Sequence, residues 1–321
     1  MHSIRGSRAL RPWVRGAVLA LALLSIIGLL HTQWEAIQRQ PWQLRGERLA
    51  LAAGLLSLAW LVEVLLWRRS LHLWGGRLGW GQALYVWFAS ILVRYIPGNL
   101  WQPLGMTLLA QERGVRPVAT MASIALYQAI NLLSALPFAG AYLQWVDRGW
   151  VDGELRLGAG GDMGWLLLAG LPFLVLLLRP GWLQAGLDGL LRALGREPLD
   201  ASLRARDLAI LWLGGLVDWI LWSGAFALLA GAVLELPGRA EVWAGLLTAY
   251  PVAYAVGYLS FVAPGGLAIR EGALALLLAP VLGPGPGILL ALAMRTLQVV
   301  LEVLWAGCVL LFGTDGRIWR P

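Results

Sequence analysis

The chain has 321 residues, of which 59% are hydrophobic and 13% are charged. Soluble globular proteins carry about 25% charged residues, so this composition excludes a soluble single-domain enzyme. The formal net charge is +7, and arginine supplies all 25 basic residues. These arginines lie between the hydrophobic runs, as residues that set membrane topology and contact lipid headgroups do. Nucleic-acid binding would need basic residues clustered on one face. One cysteine and three scattered histidines offer no redox pair or histidine metal site, so we expect no cofactor and no metal.

Hydrophobic runs recur along the chain at the length that crosses a bilayer, about 20 apolar residues. They cover residues 17–30, 49–67, 80–96, 118–145, 163–178, 208–234, 242–263 and 288–312. No small-residue cleavage site follows the first run, so we interpret it as an uncleaved span. Leucines between 183 and 194 predict an amphipathic helix on the cytoplasmic surface. The sequence thus predicts an all-α polytopic membrane protein of about eight hydrophobic helices, in a single domain spanning 1–321.

Two of the predicted helices stop at a Pro-Gly pair. The third ends at Pro97 and Gly98, and the seventh ends at Pro264 and Gly265. Proline removes a backbone donor, so each break leaves polar backbone groups at membrane depth. Such backbone is tolerated only where it is buried in protein or lines a cavity.

The distribution of arginines favours re-entrant segments at both breaks. If both broken units turn back, about 16 arginines lie on the cytoplasmic side and 6 outside, whereas crossing units reduce the split to about 12 and 10. The positive-inside rule prefers the first arrangement. We therefore expect a multi-pass protein of the cytoplasmic (inner) membrane with both termini in the cytoplasm.

The two breaks also belong to an internal repeat. A shift of 167 residues places Pro97 on Pro264 and Gly98 on Gly265, and it predicts repeat units at about 80–145 and 242–312. An odd number of crossings separates the units in the re-entrant topology, so they would be inverted in the membrane. Inverted repeats with discontinuous helices are typical of secondary transporters.

Charged residues inside or beside the spans each cost about 3 kcal/mol on insertion scales. They are Glu63, Arg94, Asp218, Arg270, Glu271, Arg295 and Glu302. For Glu63, five residues before Arg68, we favour a structural ion pair. For Asp218, as a buried charge partner of an arginine, structural and functional interpretations both stay open. We favour function for Arg270 and Glu271, which follow the second break, and for Arg295, at a matched repeat position.

The residue types around the breaks favour an anionic ligand. Guanidinium groups bind phosphate, and a short helix after Gly265 and Gly266 presents free backbone N–H groups. In the other repeat unit, Asn99 and Gln102 offer uncharged hydrogen bonds, or equally satisfy the broken backbone. Arg295, Gln298 and Glu302 share one helical face. The predicted ligand is an anionic or zwitterionic lipid headgroup.

These motifs together resemble a known membrane family. They are Arg94-Tyr95-Ile96-Pro97-Gly98, Gly114-Val115, and the run from Pro264 to Gly272 with Arg295 downstream. The chain is similar in these respects to the lysylphosphatidylglycerol synthase transmembrane, or flippase-like domain, family. Ala268 is a departure, because the family usually has glycine there.

The resemblance implies an inner-membrane domain that moves a modified phospholipid between leaflets or accompanies polyprenyl-phosphate glycolipid pathways. The soluble aminoacyl-transferring domain of the full synthases is not in the sequence, so we expect no enzyme activity. The leading hypothesis is a lipid translocator. The alternative is a non-transporting accessory or scaffold subunit that binds a lipid intermediate for a separate synthase or glycosyltransferase. An intramembrane enzyme using Glu271 or Asp218 as acid or base ranks lowest.

Overall fold

Ten α-helices make up the regular structure of the described chain. The computed structural model describes residues 43–91, 101–146, 164–193, 195, 203–260 and 269–313. Within these ranges it has helices and no strands, as the sequence predicts. The helices are α1 (Gly46–Leu73), α2 (Trp80–Ile91), α3 (Trp101–Gln111), α4 (Pro117–Trp145), α5 (Gly164–Leu178), α6 (Pro180–Ala193), α7 (Ala205–Val233), α8 (Ala240–Leu259), α9 (Ile269–Leu282) and α10 (Pro284–Gly313).

Several sequence predictions concern residues outside the described ranges. They are the first span at 17–30, both termini, and both Pro-Gly breaks with Arg94, Pro97, Gly98, Asn99, Pro264, Gly265 and Gly266. The flanking helices are described, so the position of each break in the sequence is clear. The first break lies between the end of α2 and the start of α3, and the second lies between α8 and α9.

The other seven predicted hydrophobic runs coincide with described helices. The predicted number of about eight hydrophobic helices is loose, because ten helices are described. Five helices, namely α1, α4, α7, α8 and α10, are individually long and apolar enough to cross a bilayer. Residues 169–178 of α5 and 180–189 of α6 qualify only as a pair, with an 87° bend between them. Pro180 begins α6, and proline disfavours helical backbone at the residue before it. The bent pair fits a re-entrant segment, and the predicted amphipathic helix is present as α6.

The long helices separate a lipid-facing side from a packed side. On α1, Leu51, Leu58 and Leu65 recur every seven residues and are all exposed, whereas Trp60 and Trp67 on the opposite side are buried. An exposed apolar stripe of this kind suits contact with acyl chains rather than water. The buried side of α1 packs along α7, and α4 and α8 complete the centre of the bundle.

Buried aromatic side chains fill this centre, and two of their indole N–H groups bond across helices. The indole N–H of Trp67 donates to the Ser123 hydroxyl over 3.1 Å. The indole N–H of Trp219 donates to the backbone carbonyl of Asn131 over 3.0 Å. Tryptophan combines a large apolar surface with one donor that needs a partner when buried. These bonds therefore tie α1 and α7 to α4 and fix their register.

The helix pattern around the first break recurs around the second. The order helix, break, short helix, long helix describes both α2–α4 and α8–α10. Two long helices begin at prolines that the shift of 167 residues superposes, Pro117 for α4 and Pro284 for α10. Across the units, α2 packs on α10 and α8 packs on α4. The first helix of each unit thus contacts the last helix of the other.

Glycines hold α9 close to its two neighbours. A β-carbon at Gly257 of α8 would lie 2.8 Å from Cβ of Arg270, and one at Gly287 of α10 would lie 2.9 Å from Cα of Ala275. Both distances are shorter than a normal carbon–carbon contact, so these positions need glycine. Small residues at helix crossings are the usual means of close packing in membranes. They bring the start of α9 against α8 and α10.

Candidate functional site

Arg270 lies in the first turn of α9, directly after the second break in sequence. Its side chain is 11% exposed, and its Nη2 lies 3.2 Å from Oε1 of the neighbouring Glu271. The same nitrogen donates to Oε1 of Gln298 on α10, also over 3.2 Å. A buried guanidinium must have hydrogen-bond acceptors, and these two side chains supply them. A guanidinium carries more N–H donors than these two bonds use.

Tyr250 on α8 completes the surroundings of Arg270. The side-chain amide of Gln298 donates to the Tyr250 hydroxyl. The guanidinium carbon of Arg270 lies 6.0 Å from the centroid of the Tyr250 ring, at the outer limit of a cation–π contact. Three helices, α8, α9 and α10, thus each contribute a side chain that positions the arginine. We name Tyr250, Arg270, Glu271 and Gln298 the arginine cluster.

The arginine cluster is connected to the middle of the bundle through Trp222 of α7. Its indole stacks on the Tyr250 ring with centroids 5.5 Å apart and planes inclined by 8°. Its N–H donates to Oε1 of Glu63 on α1 over 2.9 Å. Side chains from five helices therefore link Arg270 to a second polar region around Glu63.

That second region contains two acidic side chains from different helices. Glu63 is 9% exposed and Asp218 of α7 is fully buried. The two carboxyl groups interact electrostatically with each other, and both act on the hydroxyl group of Tyr127 on α4. Tyr127 in turn accepts a hydrogen bond from the side-chain amide of Asn131 over 3.2 Å. We name Glu63, Asp218, Tyr127 and Asn131 the acidic cluster.

The structure distributes the predicted site residues over these two clusters. Arg270 and Glu271 meet in the arginine cluster, and Oε2 of Glu271 has no hydrogen-bond partner among the described residues. Arg295 acts electrostatically on Tyr250 and is half-buried. Glu302 is 1% exposed on the same helix, α10. Gln102 lies half-buried in the first turn of α3.

The hypothesis that Asp218 pairs with an arginine receives no support from the described side chains. Neither carboxylate oxygen of Asp218 has a hydrogen-bond partner among them. The charged group that acts on it is another acid, Glu63. Helices α1 and α7 bring the two acids together because the buried faces of these helices carry one acid each.

Sequence reasoning missed the aromatic residues that join the clusters. Trp222 lies inside the predicted run 208–234, where its apolar surface does not distinguish it from the other residues of a span. Tyr250, Tyr254 and Tyr258 recur every four residues on α8, and the last two stack with ring centroids 6.2 Å apart. This spacing marks one helical face and was visible in the sequence. The contact of that face with Trp222 depends on how α7 packs against α8.

The match to known proteins covers nearly the whole chain. The family model described as the lysylphosphatidylglycerol synthase TM region matches residues 13–306. The matched range includes all ten described helices except the end of α10, and therefore both clusters. No individual curated protein matches the chain.

Proposed function

The chain belongs to the family of lysylphosphatidylglycerol synthase transmembrane regions, and we propose that it is a lipid translocator without enzyme activity. Its substrate is a phospholipid or a lipid-linked, polyprenyl-phosphate headgroup with anionic or zwitterionic charge. The headgroup passes the arginine cluster while the acyl chains stay in the bilayer. The membrane concerned is the cytoplasmic one, with both termini in the cytoplasm.

One observation carries this proposal: a buried arginine at the start of a helix that follows a sequence break. Arg270 is 11% exposed, and its acceptors come from two helices. An arginine held in this way keeps its charge inside the membrane, where a phosphate oxygen can compete for its N–H groups. Ionisable residues at membrane depth mark substrate pathways more often than they serve packing.

The repeated helix pattern supports movement rather than binding alone. Units α2–α4 and α8–α10 have the same order of helices, and the first helix of each packs on the last helix of the other. We take this as an inverted repeat with re-entrant breaks. Two such units around one site can expose it alternately to either side of the membrane.

The test measures movement of a fluorescent lipid by the purified protein. Phosphatidylglycerol carrying a dithionite-reducible fluorophore is placed in proteoliposomes, and dithionite reports how fast the inner-leaflet pool reaches the outer leaflet. We expect movement by the wild type and its loss in Arg270→Ala. Arg113→Ala is the matched control, because Arg113 stacks over Tyr85 at 4.4 Å and belongs to neither cluster.

The outcomes separate the translocator from the accessory subunit. Arg270→Lys keeps the charge but loses the planar fork, so partial movement by this variant supports a role in headgroup binding. A wild type that binds the fluorescent lipid but does not move it favours the accessory subunit. Equal rates in the wild type and Arg270→Ala overturn the role of Arg270.

A further inference from the structure

Asp218 of α7 is a fully buried acid. It lies near the middle of α7, its side chain is fully buried, and neither carboxylate oxygen has a hydrogen-bond partner among the described residues. An ionised carboxylate in a low-dielectric interior costs several kcal/mol unless a positive group or donors neutralise it. Asp218 therefore needs a positive charge that the described side chains do not supply.

The titratable and charged groups around Asp218 increase its need for a positive charge. Glu63 of α1 acts on Asp218, and both acids together with Tyr254 of α8 act on Tyr127 of α4. In the described part of the chain, no arginine is among the groups that act on Asp218. Glu63 has the Trp222 indole N–H as a donor, 2.9 Å away. Asp218 is thus the acid of the pair that lacks a described donor.

Uncharged oxygen atoms lie in the same region. Oδ1 of Asn131 is buried and has no hydrogen-bond partner among the described residues. Asn131 and Tyr127 line a small recess whose wall on α7 includes Gly215, one helical turn before Asp218. Hard cations without a preference for nitrogen or sulfur bind such carboxylate and amide oxygens.

We propose that Glu63, Asp218 and Asn131 form a binding site for one small monovalent cation, a proton or a sodium ion. The cation neutralises Asp218, and Trp222 holds Glu63 in place beside it. This site is separate from the arginine cluster, and among the described residues Trp222 and Tyr250 connect the two. Coupling of cation binding to lipid movement is a second step, and that step rests on the proposed function.

Cation binding is tested on the purified protein without any lipid transport. Infrared difference spectroscopy detects the carbonyl stretch of a protonated carboxylic acid, and a radioactive sodium assay detects bound sodium ions. We expect one of these signals in the wild type and its loss in Asp218→Asn. The control is Asp207→Asn, because Asp207 is a carboxylate on the same helix that pairs with Arg69 over 3.2 Å near the start of α7.

The two signals identify the cation, and other outcomes overturn the site. A protonated-acid band lost only in Asp218→Asn identifies a proton, and sodium binding lost only in that variant identifies sodium. If Asp218→Asn does not elute as a folded protein, Glu63→Gln replaces it and should lower the affinity for the cation about tenfold, because it removes one of the two negative charges. Neither signal in the wild type, or equal signals in Asp218→Asn and Asp207→Asn, rejects the proposal.

Coupling is tested by imposing a pH or sodium gradient on the proteoliposomes of the lipid assay. We expect the gradient of the identified cation to change the rate of lipid movement in the wild type and to have no effect in Asp218→Asn. If neither gradient changes the rate of lipid movement, the coupling is rejected. No lipid movement at all overturns the proposed function, while the binding measurements still decide the cation site.

Discussion

Trp222 lies flat against Tyr250, with ring planes inclined by 8°, and so touches both polar clusters of this protein. Its N–H donates to Glu63, while Tyr250 accepts a hydrogen bond from Gln298, an acceptor for Arg270. A change in one cluster can therefore reach the other through two stacked rings. Each step of the connection is a contact that one substitution removes.

Replacing Trp222 with phenylalanine removes the donor to Glu63 and keeps an aromatic ring against Tyr250. Hydrogen bonds to charged groups contribute about 1.5–3 kcal/mol, so Trp222→Phe should lower the free energy of unfolding by about that amount. Unfolding in detergent, followed by circular dichroism, measures it. Trp305→Phe is the comparison, because Trp305 donates to the neutral Ser57 hydroxyl over 3.2 Å and its loss should cost about 0.5–1.5 kcal/mol. A smaller loss for Trp222→Phe than for Trp305→Phe would contradict the charged contact.

Gly257 allows α8 to approach the start of α9. A β-carbon there would lie 2.8 Å from Cβ of Arg270 and 3.3 Å from its Cα, so Gly257→Ala should displace Arg270 and destabilise the protein by about 1–3 kcal/mol. The control is Gly272→Ala on α9, where nothing lies within 4 Å of the added carbon. That variant should be neutral or more stable by up to about 1 kcal/mol, because alanine favours a helix over glycine. Thermal unfolding measures the stability of both variants. Equal effects would show that the close approach of α8 to α9 is not needed.

Gln298 positions Arg270 without neutralising it. Gln298→Glu adds a carboxylate to the 3.2 Å contact and competes with a lipid phosphate for the guanidinium. We expect lipid movement to fall on the order of tenfold, which corresponds to about 1.4 kcal/mol. The fluorescent lipid assay measures the rate. Thr296→Val serves as the control, because Thr296 is exposed and bonds only within α10, to the Leu292 carbonyl. A rate in Gln298→Glu equal to that of Thr296→Val would remove Arg270 from the headgroup path.

The re-entrant topology predicts opposite sides for two described loops. In a Cys308→Ser background, Glu112→Cys should lie in the cytoplasm and Gly238→Cys outside, and both positions are exposed. A membrane-impermeant maleimide should label Gly238→Cys in intact cells and Glu112→Cys only after permeabilisation. If the broken units cross the membrane, the labelling of the two positions is reversed. Labelling from the same side contradicts both topologies and is expected if the bent α5–α6 pair does not cross the membrane.

Much of the architecture follows from local pattern and could be predicted. Runs of about 20 apolar residues mark helices because backbone groups in a bilayer must bond within their own segment. Seven of the eight predicted runs coincide with described helices. The exact number of hydrophobic helices did not follow, because α5 turns by 87° into α6. Length and hydropathy do not determine where a helix bends.

The sequence predicts part of the candidate site, and the rest depends on how the helices pack. Arg270 and Glu271 stand out in the sequence because a charged residue inside a span is costly and because both residues follow a Pro-Gly-Gly break. Their acceptor Gln298 lies 28 residues further on, and its contact with Arg270 depends on the packing of α9 against α10. Asp218 was considered as the partner of an arginine. Its neighbour is Glu63, an acid 155 residues earlier in the sequence.

The all-helical membrane fold, the family resemblance and the charges expected at membrane depth all followed from the amino-acid sequence. Those properties depend on composition, spacing and the cost of burying charge, all of which can be counted along one chain. The packing of the helices was needed to show that Trp222 and Tyr250 join two polar clusters and that Asp218 lies near an acid. Such contacts depend on the rotation and register of helices against one another, and in a membrane these are set by the close packing of small and aromatic side chains across several helices at once.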